Sequence, residues 1–190
     1  MSPAHKIIIL TAPSGAGKTT IAYRLLQQIP GLVFSVSATT RAPREDETAG
    51  KDYYFLSVAD FRQKIADDAF VEYEMVYEGK YYGTLRTELE RIWQLNKYPL
   101  RIIDVAGALA LKEKFGADAC AIFIRPPSLE ALRVRLLLRG SEDRHTLLER
   151  TEKARVEMNY ADRFDHTVEN EDLDRAVAAC ADIIRDFLKA

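Results

Sequence analysis

"KIIILTAPSGAGKTTIAYRLLQQ", residues 6–28, places an apolar β-type run, a glycine-rich turn and a helical pattern in immediate succession. Ile7, Ile8, Ile9 and Leu10 read as a short strand buried on both faces, and "TIAYRLLQQ" as the helix that follows it. Between them, "APSGAGKTT" at 12–20 has the strand–loop–helix context of a Walker A phosphate loop. In such a loop, backbone N–H groups and the positive end of a helix surround the β- and γ-phosphates, a lysine adds charge and a hydroxyl ligates Mg²⁺. The ATP-binding residues are then Ser14, Gly15, Ala16, Gly17, Lys18, Thr19 and Thr20, with Thr19 as the metal ligand. Ala12 stands where the first glycine of the pattern usually is, which demands an ordinary negative φ there. Gly15 and Gly17 remain where the backbone has to approach phosphate closely. The alternative, a chance glycine-rich turn before a helix, leaves the lysine, the threonine and both flanks unexplained. The loop specifies nucleotide binding and not the reaction, because it serves switches, motors, transporters and small kinases alike.

Outward from this unit, short β-rich runs alternate with helical patterns: "LVFSV" at 32–36, "LRIID" at 100–104, "ACAIFI" at 119–124 and "HTVE" at 166–169. That alternation predicts an α/β fold, a mostly parallel sheet with helices on both faces. The pattern breaks between Tyr53 and Tyr82, where "DYYFL" and "FVEYEMVYEGKYYG" flank the helical "VADFRQKIADDA" and Glu78-Gly79 reads as a tight turn. Residues 36–83 are therefore expected to form a small inserted subdomain. A second atypical stretch, 126–159, holds two arginine-rich helical patterns joined by "RGSEDRH" and is expected to act as a helical lid. The rest, 1–35, 84–125 and 160–190, makes the core of a single domain spanning 1–190. The last helix carries Leu173, Val177, Cys180 and Ile184 on one stripe, a packing face.

Composition narrows the function classes. Lys plus Arg number 27 against 29 Asp plus Glu, so no global basic field exists to gather nucleic acid, and any anion site has to be local. Cys120 and Cys180 stand apart, without metal-ligand spacing, and read as small buried hydrophobes of a reducing compartment. The longest apolar run, "IIIL", is far too short to span a bilayer, and the N-terminus lacks a signal-peptide pattern, so a cytoplasmic protein without a membrane partner is expected. Nothing in the sequence specifies an oligomeric state.

Beyond the phosphate loop, "SATTRAPR…E…GKDYYF", "FVEYE…YYGT", "IIDVAG", "IRPPSLEALRVRLLLRG" and "VENEDLD" follow one another in an order that resembles the guanylate kinase family of P-loop nucleoside monophosphate kinases, over nearly the whole chain. The resemblance implies transfer of the γ-phosphoryl group of ATP, held with Mg²⁺, to GMP (dGMP included), in purine nucleotide metabolism. It assigns the inserted segment to GMP binding and the arginine-rich stretch to the lid.

It also implies site residues. Arg41 and Arg44 match the acceptor-phosphate arginines, whose forked guanidinium groups suit a phosphate dianion, with Tyr53 and Tyr82 adding phenolic O–H donors. The other reading of this loop is a solvated turn whose arginines pair with Glu45, Asp46 and Glu47. Glu72 and Asp104 match carboxylates that accept from guanine N1–H and N2–H₂, with the hydroxyls of Ser37 and Thr84 completing the edge; adenine would leave them unpaired. Glu72 also reads as the polar member of an alternating strand, and Thr84 as the N-cap of "LRTELERIW". Arg135, Arg139 and Arg150 match lid arginines that close with Lys18 on the transferring phosphates, a solvated basic face being the alternative. Asn170 matches a position near the adenine of ATP.

One departure stands out. The family usually carries Asp-x-Asp at the end of the central strand, whereas "RIIDVAG" keeps only Asp104 and has Ile102 in the first place. The missing carboxylate is placed to help organise a cation shell, which leaves catalytic efficiency open. Two rival functions remain: a related kinase for another phosphorylated acceptor, such as a sugar phosphate, and a non-catalytic guanylate-kinase-like binding module. Retention of Ser37, Glu72 and Asp104 argues against the first, and an intact phosphate loop against the second.

Overall fold

The computed structural model describes residues 5–138 and 144–189. The first apolar run is strand β1 (Ile7–Thr11), every residue of it buried. The phosphate loop leads from it into α1 (Lys18–Gln28), which turns Ile21, Ala22 and Leu25 into the core. Strand β2 (Leu32–Phe34) follows. With β7 (Tyr98–Ile103), β8 (Ala119–Arg125) and β9 (His166–Glu169), these strands build a five-stranded parallel sheet in the order β2-β7-β1-β8-β9. A strand buried on both faces has no polar side to alternate with, which is why β1 and β8 read as unbroken apolar runs.

The expected strand "LVFSV" ends early, at Phe34. After Phe34 the chain leaves the parallel sheet, and from Ser37 it enters a second one as β3 (Ser37–Thr39). That sheet also contains β4 (Tyr53–Phe55), β5 (Phe70–Tyr77) and β6 (Lys80–Leu85), in the order β4-β3-β6-β5, with β5 and β6 joined by the Glu78-Gly79 turn. Helix α2 (Val58–Ala66) packs Phe61 against this sheet, where its ring stacks on Phe70 and Tyr81. It is shorter than "VADFRQKIADDA" suggests, because Asp67 closes it and Asp68 turns to a φ of 50°.

Helices α3 (Arg86–Gln94) and α4 (Val105–Phe115) bracket β7 in the chain. Helices α5 (Leu129–Leu138) and α6 (Arg144–Met158) carry the arginine-rich stretch, and α7 (Leu173–Lys189) closes the chain with Val177, Cys180 and Ile184 buried and Leu173 packed beside them. One apolar cluster joins α1, α7 and one face of the parallel sheet, and another joins α4 and the opposite face. Cys120 and Cys180 are free thiols in these interiors, and burial pushes both up to about 12, so neither is a ready nucleophile. No helix among the described residues is long and apolar enough to cross a membrane.

Candidate active site

The phosphate loop is shaped by two glycines. Gly15 and Gly17 have φ of 86° and 98°, left-handed values, while Ala12 is not among the residues of positive φ. A Cβ on Gly17 would lie 2.5 Å from Asn170 Nδ2. That closeness reflects a brace: the buried Asn170 amide donates to the carbonyl of Ala16 at 2.8 Å, and Arg135 of α5 donates to the carbonyl of Asn170 at 2.8 Å. Lys18 Nζ donates to the carbonyl of Ala12 across the loop. The loop and the first turn of α1 surround a cavity of about 410 Å³, lined by Ser14, Gly15, Gly17, Lys18, Thr19, Thr20 and Arg135 among others. Cation, hydroxyls and a helix N-terminus together make it an anion cradle.

A second cleft, about 340 Å³, opens between the two sheets. Glu72 and Glu74 lie two apart on β5 and face Thr84 and Tyr82 across the ladder, so all four side chains project from one face of the second sheet. The opposite wall comes from β7 and the residue after it: Arg101, Ile102 and Asp104. Ser37 and Tyr53 complete the lining, and Lys18 reaches the cleft from the phosphate loop. Thr84 is fully buried in β6 and donates its hydroxyl to Glu72; it does not cap α3, whose cap position is Leu85. Asp104 caps α4 by accepting from Gly107 N–H at 2.9 Å. Glu74 is pushed up to about 7, first by burial and then by its hydrogen bond to Asp104 and the charge there.

In the arginine loop Arg41 is paired with a carboxylate, as the solvated-turn reading expects. Arg41 is gripped by Glu47 through paired bonds of 2.8 and 2.7 Å, and its guanidinium stands 5.2 Å from the centre of the Tyr53 ring. This pairing raises the Arg41 pKa further above its ordinary value and lowers Glu47 to about 2, so both stay charged. Arg44 presents an exposed side chain while its N–H donates to Glu47 at 2.9 Å. The Tyr53 and Tyr82 rings meet edge-on at 6.2 Å. An acceptor phosphate entering here would meet Arg44 directly and compete with Glu47 for Arg41.

Arg150 joins a third hollow of about 140 Å³ with Ser14, Lys18, Asp104, Lys153 and Glu157. Arg139 lies outside the described residues. Of the other positions named from sequence, Ser14, Gly15, Gly17, Thr19, Thr20 and Arg135 line the loop cavity and Ser37, Tyr53, Glu72, Tyr82 and Asp104 the cleft, with Lys18 in both; Arg41, Arg44, Ala16 and Thr84 line neither, and Asn170 braces the loop.

Three participants were missed. Arg101 is 2% exposed and donates to Thr84 Oγ1 at 2.6 Å and to Ser37 Oγ. An arginine inside an apolar strand, "YPLRII", was the available signal. Glu74 carried the period-two signal, being two residues from Glu72. Glu88, 2% exposed on α3, accepts from Val36 N–H at 3.0 Å and Tyr54 O–H at 2.9 Å and so fixes the chain next to Ser37; nothing in its helical context announced it.

A parallel sheet with a glycine-rich loop and lysine at the end of its central strand, feeding a helix N-terminus, defines a P-loop nucleotide-binding protein, and a second cleft lies beside the lysine. The guanylate kinase family model matches residues 4–187, and the chain belongs to that family. It is 50% identical over 189 residues to a guanylate kinase of Salinibacter ruber, covering 99% of this chain and 100% of the relative. To a guanylate kinase of Porphyromonas gingivalis it is 47% identical over 184 residues, covering 96% and 98%. The crystal structure of guanylate kinase from Anaplasma phagocytophilum superposes with a TM-score of 0.77 at 31% identity, covering 97% of this chain and 86% of that one.

Proposed function

We infer that this chain transfers the γ-phosphoryl group of ATP to GMP, giving ADP and GDP. The observation that carries the reading is the position of Lys18: it lines the phosphate-loop cavity, the acceptor cleft and the hollow containing Arg150, and so stands where donor and acceptor phosphates meet. Charge passing from the acceptor oxygen to the leaving ADP passes a fixed ammonium group, stabilisation that grows in the transition state. Arg135 and Arg150 approach from the α5–α6 side, and Arg139 belongs with them by its place in the sequence. The acceptor is already an oxyanion, so no general base is needed, and positioning supplies most of the catalysis.

Within the cleft, Glu72 and Asp104 accept from the guanine N–H groups, with the hydroxyls of Ser37 and Thr84 completing the edge. Arg41, Arg44, Tyr53 and Tyr82 take the acceptor phosphate. We assign 36–83 as the GMP-binding subdomain, 126–159 as the lid, and the remainder as the ATP-binding core. Asn170 serves ATP through the loop it braces. The chemistry of the donor set fits Mg²⁺ entering with ATP: Thr19 offers a hydroxyl oxygen beside the phosphate cavity. When bound, the ion neutralises phosphate charge; the protein's share is the Thr19 oxygen. A cytoplasmic place in purine nucleotide metabolism accords with these substrates, dGMP included.

The test is ADP release with GMP, AMP, CMP and UMP as acceptors, for the wild type and Lys18→Met. GMP is expected to be strongly preferred, and the variant to lose at least ~100-fold in kcat. Turnover of AMP comparable to that of GMP refutes the assignment.

A further inference from the structure

Guanine presents acceptors as well as donors, at O6 and N7, and the groups assigned to the base are poorly matched to that half of the pattern. The carboxylates of Glu72 and Asp104 accept when ionised. The single hydroxyl hydrogen of Thr84 is given to Glu72, and its oxygen accepts from Arg101 Nε at 2.6 Å. Ser37 Oγ accepts from Arg101 Nη1 and has one hydrogen left for two acceptor atoms.

Arg101 supplies what is lacking. Its guanidinium carries five N–H donors in a fixed fork. One nitrogen serves Thr84, another serves Ser37, and Nη2 faces Glu72 Oε1 at 3.6 Å, an ion pair too long for a direct hydrogen bond. The side chain is almost wholly enclosed, yet it borders the acceptor cleft beside Glu72, Gly83 and Asp104. A charge withdrawn from water is unfavourable unless nearby groups compensate, and Glu72 at 3.6 Å and the charge of Asp104 supply part of that compensation. An acceptor oxygen from a ligand in the cleft would complete the compensation.

We propose that Arg101 is a specificity-determining residue that reads the acceptor edge of the base, Nη2 donating to guanine O6 while Glu72 and Asp104 read the donor edge. Arginine and carboxylates then meet guanine as complementary halves. Adenine would turn its N6 amino group towards the guanidinium, donor against donor. Arg101 also commits Thr84 to orienting Glu72, which makes that hydroxyl a positioning group.

The inference rests on GMP being the acceptor, and the test separates the two. The wild type and Arg101→Met are compared on GMP, 6-thio-GMP, which keeps the N1 and N2 donors but weakens the acceptor at position 6, and 7-deaza-GMP, which removes N7. Loss of a hydrogen bond to a charged donor is worth about 10- to 100-fold. The wild type should therefore lose that factor in kcat/KM on 6-thio-GMP and far less on 7-deaza-GMP, and the variant should lose it on GMP while its 6-thio penalty shrinks to about twofold or less. A merely structural arginine would depress all three acceptors equally, leaving the GMP-to-analogue ratio as in the wild type, and that result overturns the proposal. If Arg101→Met does not fold, Arg101→Gln carries the same comparison, since its amide is too short to span from Ser37 and Thr84 to the base. Failure of the wild type to phosphorylate GMP would refute the acceptor reading; an unchanged ratio with good GMP turnover refutes only the role of Arg101.

Discussion

Replacing Glu74 with glutamine should make the protein more stable at pH 8 and change it far less at pH 5. In the folded state this carboxyl keeps its proton up to about pH 7, chiefly because of burial and the adjoining Asp104, with Glu72 also repelling its charge and Lys153 of α6 opposing them. Unfolded, it ionises near its ordinary value of 4.5. Between these two pH values the folded chain binds more protons than the unfolded one, so stability falls as pH rises. The contribution is complete below 4.5 and is lost through about 7. The gap between the two values corresponds to roughly 3 kcal/mol. Glu74 nevertheless keeps much of its surface in water, and screening reduces the expected effect to about 1 kcal/mol. For a chain of this size that is about 2–4 °C in melting temperature. Thermal melts of the ligand-free wild type and Glu74→Gln at pH 5 and pH 8 isolate the effect, since every other titrating group is common to both. Equal differences between the two proteins at both pH values, or a wild type that melts higher at pH 8, would refute the reasoning.

Gly17→Ala forces a side chain into a φ of 98° with its Cβ 2.5 Å from Asn170 Nδ2, and should weaken ATP binding at least ~10-fold in calorimetry, with about 1–3 kcal/mol of strain visible in melting. Unaltered ATP affinity would contradict the loop's role. Arg44→Ala should raise the GMP KM by about 10-fold or more while leaving the ATP KM alone, since a hydrogen bond between charged groups is lost; steady-state kinetics with a GMP KM within about twofold of wild type would remove the acceptor-phosphate assignment. Ile102, half-buried, walls both the acceptor cleft and a hollow that includes Thr19, so Ile102→Asp should lower the ligand-free melting temperature by exchanging buried apolar surface for a carboxylate, and should lower the Mg²⁺ concentration needed for turnover. A lowered melting temperature with unchanged Mg²⁺ dependence would show that Asp104 suffices alone.

Local chemistry carried the phosphate loop and the parallel sheet. An all-apolar strand, two glycines at positions of close approach and a lysine at a helix start are constraints written over a dozen residues, and β1, the loop and α1 formed where they pointed. The Glu78-Gly79 turn likewise joined β5 and β6 where the sequence pointed. Tertiary structure alone decided what stands opposite each face. Period two puts Glu72 and Glu74 on one side of a strand, but only the packing of that strand against the end of β7 sets Glu74 beside Asp104 and raises its pKa. "LVFSV" reads as one strand, yet pairing in the parallel sheet stops at Phe34 opposite Leu100, and four residues on Ala38 pairs with Gly83 in the second sheet. Arg101 read locally as an anomaly in an apolar strand; its meaning comes from Ser37 and Thr84, 64 and 17 residues away, which meet its guanidinium only when both sheets are assembled. Hydrophobic periodicity is a property of one element at a time, whereas the desolvation of a charge depends on every element that closes over it.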